Sequence, residues 1–258
     1  MKGWANNMKN LLKLEFRKLI TRKSFYICIA IMVGLLLIST LTTNALIDPE
    51  FIDEYDYQLS GINTMIEALS TSSFIMIAGI FVALFVCEDY TGQTVKNIYA
   101  RGYSRVSVYF SKLITVLIST TVMLIIVDAV AFLVGSALFG VGEIGNYKFL
   151  AIIGTQYIIA MAEITFAFTI ASVIRKTGGA IACIIIAPML IGILLSLVDV
   201  FFNFENISIS EFWIFNFLPQ ISSLDVSTKQ ILLCIVGSLI YIPLFSAIGL
   251  YINKKIQL

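Results

Sequence analysis

The sequence predicts an all-α integral membrane protein with six membrane-spanning helices, and three observations support this fold class. Hydrophobic residues make up 59% and charged residues 13% of the 258 residues, whereas soluble domains average about 45–50% and about 25%. Six apolar stretches are long enough to cross a hydrocarbon core, which takes about 20 helical residues. These stretches are continuous, without the alternation that a membrane β-barrel requires.

Basic residues predict how the six spans are oriented, because short cytoplasmic loops carry an excess of Lys and Arg. Of the 17 Lys and Arg residues, all except Lys148 and Lys229 fall in tails and loops on one side. Both termini are therefore predicted to be cytoplasmic, with a segment 1–23 before a single membrane domain, 24–258. The spans are predicted at 24–46, 68–87, 113–139, 149–174, 177–198 and 230–252.

The segment before the first span is predicted to form an amphipathic helix in the plane of the inner leaflet. Apolar residues recur at spacings of three and four, and most basic residues fall on the other side. Such a helix buries its apolar face while its cations meet anionic headgroups. Glu15 interrupts this surface with a carboxylate, so the helix either only anchors the chain or also docks a cytoplasmic partner. The apolar positions are Met8, Leu11, Leu12, Phe16, Leu19 and Ile20, and the basic ones are Lys9, Lys13, Arg17, Lys18 and Arg22.

A loop with strong turn signals follows the second span. Glu88 and Asp89 close that span, and Gly92 and Gly102 bracket a segment long enough for about two helical turns. Ser104 is the residue type that caps the start of a helix, here the helix of the third span. The loop is therefore predicted to hold a short helix across the mouth of the bundle, a shape suited to transmitting movement.

This layout resembles the permease subunits of ATP-binding-cassette transporters, in the type 2 exporter class. The resemblance is particularly to the short permeases associated with bacterial peptide export and with bacteriocin or antibiotic self-immunity. The shared features are the N-terminal interfacial helix, six spans, an acidic end of the second span, a Gly-x-Thr segment, and a Ser-Arg then Lys entry into the third span. The resemblance implies a coupling region that meets an ATPase, formed by Glu88, Gly92, Thr94, Ser104, Arg105 and Lys112. The charged residues Glu15, Asp89 and Arg101 complete the predicted coupling set.

The resemblance also implies the partners of the chain. They are a cytoplasmic ATP-binding subunit in two copies, a second permease half that is identical or related, and membrane lipid, but no nucleic acid. The sequence has no G-x-x-x-x-G-K-[ST] phosphate-binding motif, so ATP and Mg are expected in the partner subunit and no cofactor on this chain. Histidine is absent, which removes imidazole catalysis and histidine metal ligands. The chain is therefore not expected to be an enzyme or to bind a metal.

Two acidic residues and an aromatic segment mark a predicted substrate pathway. Asp128 lies in the third span and Glu163 in the fourth, where a charge costs at least about 2.5–3.5 kcal/mol. Both are expected to face protein or water, as a contact for a cationic substrate, a proton-sensitive gate, a polar lock between helices or a packing residue. The segment between the last two spans contains Phe212, Trp213 and Phe215, and it resembles the short outer re-entrant helices of the family.

The leading hypothesis is a permease half of an ATP-driven exporter. It would move an amphipathic or hydrophobic compound, with toxic or antimicrobial peptides among the candidates, out across the plasma membrane of a bacterial cell. The alternative is a secondary transporter or channel without an ATPase, which would favour more intramembrane charge and broken helices. An intramembrane enzyme is a third hypothesis, but it would need a convergent nucleophile and base.

Overall fold

The computed structural model describes residues 2–46, 59–92, 94–142, 147–202, 208–224 and 226–255. Every regular element in this part of the chain is helical, which confirms the predicted all-α class. The elements are α1 (Lys2–Thr21), α2 (Lys23–Leu46), α3 (Gly61–Ser70), α4 (Ser72–Thr91), α5 (Thr94–Ala100), α6 (Arg105–Phe139), α7 (Tyr147–Ile174), α8 (Thr177–Phe202), α9 (Phe217–Gln220) and α10 (Thr228–Lys255), with two 3-10 turns at Ile209–Phe212 and Ile214–Asn216.

Six of these helices, α2, α4, α6, α7, α8 and α10, are long and apolar enough to cross a membrane, as predicted. The second span differs in detail from the prediction, because the backbone at Thr71 is extended and separates α3 from α4. The predicted third span, 113–139, is part of a longer helix, because α6 begins at Arg105, directly after the predicted cap Ser104, and has 35 residues. At 1.5 Å per residue it is about 52 Å long, which exceeds a hydrocarbon core of about 30 Å.

The bundle has a centre and a periphery. In the central helices α4 and α7, 61% and 67% of the residues in the most apolar 18-residue stretch are buried, whereas in α8 only 11% are. Helix α7 packs against α4, α8 and α10, whereas α6 contacts α1, α2 and α3. The peripheral helices α2, α8 and α10 keep apolar side chains exposed, as surfaces that face lipid or another membrane subunit do. Among the cysteines, Cys28, Cys87 and Cys234 are buried free thiols and Cys183 is exposed.

The two ends of the bundle are built differently. At one end, called the basic end, α1 and α5 meet the start of α6, and Arg105 of α6 donates to the Lys254 carbonyl at the end of α10. At the opposite end, α3 packs beside the end of α6, where the Gly61 amide donates to the Gly140 carbonyl at 2.8 Å. The 3-10 turns and α9 close this opposite end against α3, α7 and α10. Gln156 of α7 ties them together by donating to the carbonyls of Ile66 and Ile221.

Candidate functional site

Six charged side chains meet at the basic end, where α1, α4 and α6 converge. We call this group the junction cluster; it comprises Glu15, Lys18, Arg22, Glu88, Asp89 and Lys112. Three members are basic and three acidic, so their formal charges cancel. At its centre Lys112, only 1% exposed, has its Nζ 3.2 Å from Glu15 Oε1 and donates to Asp89 Oδ2.

The junction cluster extends outward through Lys18 and Arg22. The Nζ of Lys18 donates to both carboxylate oxygens of Asp89, at 3.1 and 3.2 Å, and lies 3.6 Å from Glu15. Arg22 pairs with Glu88, which is 56% exposed at the rim. Buried ions are tolerated when partners and hydrogen bonds compensate for lost hydration. Asp89 and Lys112 meet this condition with both ion pairs and hydrogen bonds. Glu15 has the ammonium groups of Lys18 and Lys112 within 3.6 Å, but its carboxylate oxygens accept no hydrogen bond in the described part of the chain.

Helix α1 reaches the junction cluster because its sequence places an acid on the face that packs against the bundle. Leu11, Glu15 and Leu19 follow at intervals of four and are all buried, as side chains on one face of a helix must be when that face packs. Leu11 also packs with Ile98 of α5 and Val108 of α6. The predicted amphipathic helix is thus present, but part of its apolar face lies against protein.

The prediction that Lys18 and Arg22 face lipid headgroups needs correction. Both turn toward the carboxylates of α4, because an acid at the end of that helix lies within reach. Lys9, Lys13 and Arg17 remain exposed on α1. The headgroup-facing surface of α1 is therefore narrower than its spacing predicts.

Helix α5 occupies the predicted turn-bounded segment between α4 and α6. Its Val95 and Ile98 are buried, whereas Lys96 and Asn97 are exposed. Gly102 follows with φ +84°, a backbone conformation that glycine adopts at little cost. The helix therefore presents one apolar edge to the bundle and one polar edge outward.

The start of α6 is fixed by a cap and by the end of α10. The Ser104 side chain accepts a hydrogen bond from the Ser107 amide at 3.1 Å, which confirms the predicted N-cap. Arg105 donates to the carbonyl of Lys254 at 3.0 Å. The side chain of Asn253 accepts a hydrogen bond from Arg175 at 3.1 Å, so the same region also holds the α7–α8 turn.

The nine predicted coupling residues divide into two groups. Glu15, Glu88, Asp89 and Lys112 belong to the junction cluster, and the other five line α5 and its flanks. Direct contact with another subunit through the side chains of Glu15, Asp89 and Lys112 is incompatible with their burial inside the chain, so any coupling role of theirs acts through positioning. Among the other five, Thr94 is partly buried, and Gly92, Arg101, Ser104 and Arg105 are exposed.

Sequence reasoning missed the pairing of Lys18 and Arg22 with acids of α4. The contact between Glu15 and Lys18 could have been predicted, since the two residues are three apart on one helix and residues at this spacing are neighbours on its surface. The bond from Lys18 to Asp89 spans 71 residues of sequence, and no local spacing predicts it.

A cavity of 680 Å³ lies toward the opposite end, between α4, α7 and α8, beside the 3-10 turns. We call it the Glu163 cavity, because Glu163 is the one charged residue among the described residues that line it. The residues that line it are Ser72, Ser73, Ile75, Met76, Gly79, Glu163, Phe166, Ala167, Ile184, Ile185, Pro188, Met189, Gly192, Ile193, Ser196, Leu197, Val200, Trp213, Phe215 and Asn216. A mostly apolar wall with few polar groups is typical of sites for small molecules.

Aromatic side chains form one side of the Glu163 cavity. The ring of Phe166 lies 6.3 Å from that of Trp213 and 5.3 Å from that of Phe215, in edge-to-face arrangements. The Trp213 indole N–H donates to the carbonyl of Pro188 at 3.3 Å, which fixes the ring against α8. These contacts hold the 3-10 turns on the spans.

The wall of the Glu163 cavity formed by α8 is also part of the outer surface of the bundle. Met189 and Leu197 line the cavity and are 65% and 46% exposed. Pro188, in the same wall, lacks an amide hydrogen, so the regular hydrogen bond to the Ile184 carbonyl is missing there. The cavity is therefore bounded on this side by a helix that itself faces lipid or a partner.

The structure brings together three of the five predicted pathway residues: Glu163, Trp213 and Phe215 share the cavity. Asp128 does not; it accepts a hydrogen bond from the Tyr157 hydroxyl and lines a separate pocket. Phe212 is 46% exposed and is not among the lining residues. Both acids are buried, at 2% exposure, in accord with the expectation that neither faces lipid.

Six apolar spans, an amphipathic N-terminal helix packed on them and a short helix between the second and third spans define an all-helical multi-pass membrane protein. The chain belongs to the ABC-2 family of transporter proteins, whose model, described as ABC-2 family transporter protein, matches residues 11–191. No curated protein matches the sequence.

The family assignment confirms the predicted class. The chain is the membrane component of an ABC exporter, it works with an ATP-binding subunit, and ATP hydrolysis belongs to that separate subunit. The assignment disfavours the alternative of a transporter without an ATPase. The matched residues include the whole junction cluster and Glu163, whereas Trp213 and Phe215 lie beyond them.

Proposed function

We propose that this permease half moves an amphipathic or hydrophobic compound out of a bacterial cell. The observation that carries the proposal is the Glu163 cavity, whose 680 Å³ falls in the range of about 300–1,000 Å³ found for small-molecule sites. Such a volume accepts a drug-sized molecule or a short amphipathic segment. A toxic or antimicrobial peptide, one candidate cargo, would enter with only part of its length.

The exposed α8 wall supports entry of the compound from the bilayer. Met189 and Leu197 border both the cavity and the outer surface, so rotation of a few unbranched or flexible side chains would open a path without exposing backbone. Methionine suits this role because its side chain adapts to different shapes. A second permease half, identical or related, would face the first across the pathway.

Coupling to ATP hydrolysis is proposed to run through α5, with the basic end and both termini in the cytoplasm. This orientation is supported by the excess of Lys and Arg at that end. Two ATP-binding subunits, carrying ATP and Mg, would contact the exposed residues around α5, including Lys96 and Arg101. The buried residues Val95 and Ile98 connect α5 to the bundle, and the junction cluster makes α1, α4 and α6 move together.

A glycine-to-leucine variant in the cavity wall tests the substrate site. Gly192→Leu fills part of the cavity, and a Cβ there would lie 3.9 Å from the Trp213 ring, an ordinary contact. We expect the complex in proteoliposomes to lose most of the ATPase stimulation by a lipophilic dye, while basal hydrolysis persists. Gly154→Leu is the matched control, because a Cβ at Gly154 meets no atom within 4 Å. Equal stimulation of both variants would refute the cavity as the cargo site.

Alanine variants around α5 test the coupling surface. Lys96→Ala with Arg101→Ala removes two exposed charges, and we expect dye-stimulated hydrolysis to fall severalfold because rim charges steer and orient the partner. Lys13→Ala, exposed on α1, is the control. If the double variant retains both association with the ATPase subunit and stimulation, α5 is not the contact.

A further inference from the structure

We propose that the Glu163 cavity selects compounds that carry a basic amine, with the ammonium N–H groups donating to the Glu163 carboxylate and the apolar body lying against the remaining wall. The inference rests on the proposed function and narrows its substrate class. It is carried by the Glu163 carboxyl group, whose Oε1 is buried without a hydrogen-bond partner among the described residues.

Glu163 is 2% exposed, and its Oε1 has no hydrogen-bond partner in the part of the chain that the structure describes. No ion pair reaches it in that part either. A buried polar group without a partner is costly, and a buried charge without one more so. A ligand that supplies a cationic donor removes this cost on binding, so the cavity favours such a ligand.

The comparison with Asp128 shows that isolation is not a general property of the intramembrane acids. Asp128 is equally buried, but the Tyr157 hydroxyl donates to its Oδ2. One hydrogen bond from a neighbouring helix therefore satisfies part of that carboxyl. Glu163 has no such donor among the described residues, although Ser72, Ser73 and Ser196 line the same cavity.

The wall of the cavity favours an ammonium group over other ligands. Three aromatic residues, Phe166, Trp213 and Phe215, share the cavity with the carboxyl, and aromatic faces attract cations within about 6 Å. Among the residues that the structure describes, no Lys or Arg lines it, so an anionic headgroup would meet repulsion from the carboxylate. A hard metal ion needs six or more oxygen ligands, and the described residues contain no cluster of three or more metal-ligating side chains around Glu163.

Trp213 gives the cavity its own reporter, because Trp4 is the only other tryptophan of the sequence. In the Trp4→Phe background, the full complex with its ATPase subunit is placed in lipid nanodiscs. Two probes with the same nitroxide-labelled alkyl chain are titrated, one ending in a primary ammonium and the other in a hydroxyl. Both probes quench Trp213 fluorescence when they occupy the cavity. The ratio of the midpoints of the two quenching curves measures the preference of the cavity for the ammonium probe over the hydroxyl probe.

We expect the ammonium probe to quench at a concentration about tenfold or more below that of the alcohol, a preference that a charge-assisted hydrogen bond supports. Glu163→Gln keeps the size of the side chain and one acceptor oxygen but removes the charge, so it should bring the two midpoints together. Asp128→Asn, a buried acid outside the cavity, should leave the preference unchanged.

The outcomes separate the two proposals. Equal midpoints in the parent protein, or a preference that survives Glu163→Gln or is lost in Asp128→Asn, would overturn the amine inference while leaving a binding cavity in place. Absence of saturable quenching by both probes would overturn the proposed cargo site itself and the inference with it.

Discussion

Asp89 and Glu163 are both almost fully buried carboxylates, at 1% and 2% exposure, yet their surroundings are opposite. Asp89 receives hydrogen bonds from Lys18 and Lys112 inside a charge-balanced cluster. Glu163 faces an apolar cavity and has no partner in the described part of the chain. The first arrangement fixes three helices relative to one another, whereas the second leaves a polar group available to a ligand.

The difference fits the two proposed roles, coupling at the junction cluster and cargo binding at the Glu163 cavity. Coupling needs helices that move as one body, and paired buried charges serve this because separating them exposes uncompensated charge. Cargo binding needs a group that gains a partner only when the cargo arrives. The comparison can be tested by removing charges from each region.

The largest effect is expected from Lys112→Met. The change leaves Glu15 and Asp89 buried around an apolar side chain, and breaking a buried ion pair in this way costs about 3–5 kcal/mol. We expect the free energy of unfolding, measured by SDS titration in mixed micelles, to fall by that amount. Lys9→Met, on the exposed side of α1, should change it little. A Lys112→Met variant as stable as the Lys9→Met control would show that the junction cluster does not hold the helices together.

Asp89 and Glu88, adjacent acids at the end of α4, allow a buried and an exposed member of the junction cluster to be compared. Asp89→Asn keeps the shape of a buried side chain but loses charge-assisted bonds from two lysines, for an expected loss of about 2 kcal/mol. Glu88→Gln, 56% exposed, should cost less than about 1 kcal/mol. Both are measured by the same SDS titration, and similar losses in the two variants would contradict the distinction between centre and rim.

Packing without charge provides the next test. A Cβ at Gly135 would lie 2.6 Å from Thr64 Oγ1 and 3.0 Å from Gly61 Cα, where α3 approaches α6. Overpacking of this kind costs about 1–3 kcal/mol, so Gly135→Ala should lower the melting temperature in detergent. Gly154→Ala, which meets open space, should be neutral or slightly stabilising. If the Gly135→Ala and Gly154→Ala proteins had the same melting temperature, α3 would have to move away from α6 without loss of stability.

The smallest effect, with the opposite sign, is expected from Glu163→Leu. Replacing an unpartnered buried carboxyl by an apolar group removes a desolvation penalty, so thermal stability should stay the same or rise while ammonium binding is lost. A clear loss of stability would indicate that Glu163 holds the helices together, and the contrast with Asp89 would fail.

Several features followed from the sequence because they depend on local chain properties. Ser104 was predicted to cap α6, and the segment between Gly92 and Gly102 to form a short helix; both depend on nearby residues. The burial of Lys112 inside α6 did not follow, since Lys112 ends the apolar run of the predicted span. The helix continues across it because Glu15 and Asp89 neutralise the charge, and both lie elsewhere in the sequence.

The sequence by itself determined the six spans and the separation of basic from acidic ends, because transfer into a bilayer is a sum over the residues of one helix. Only the tertiary structure decided which buried charges have partners. Lys112 meets Asp89 across 23 residues and Tyr157 meets Asp128 across 29, whereas Glu163 has no partner among the described residues and faces an apolar cavity. Such pairing depends on how helices pack and rotate against one another, and the free energy of an ion or hydrogen bond depends on distances of a few ångströms that no spacing along the chain specifies.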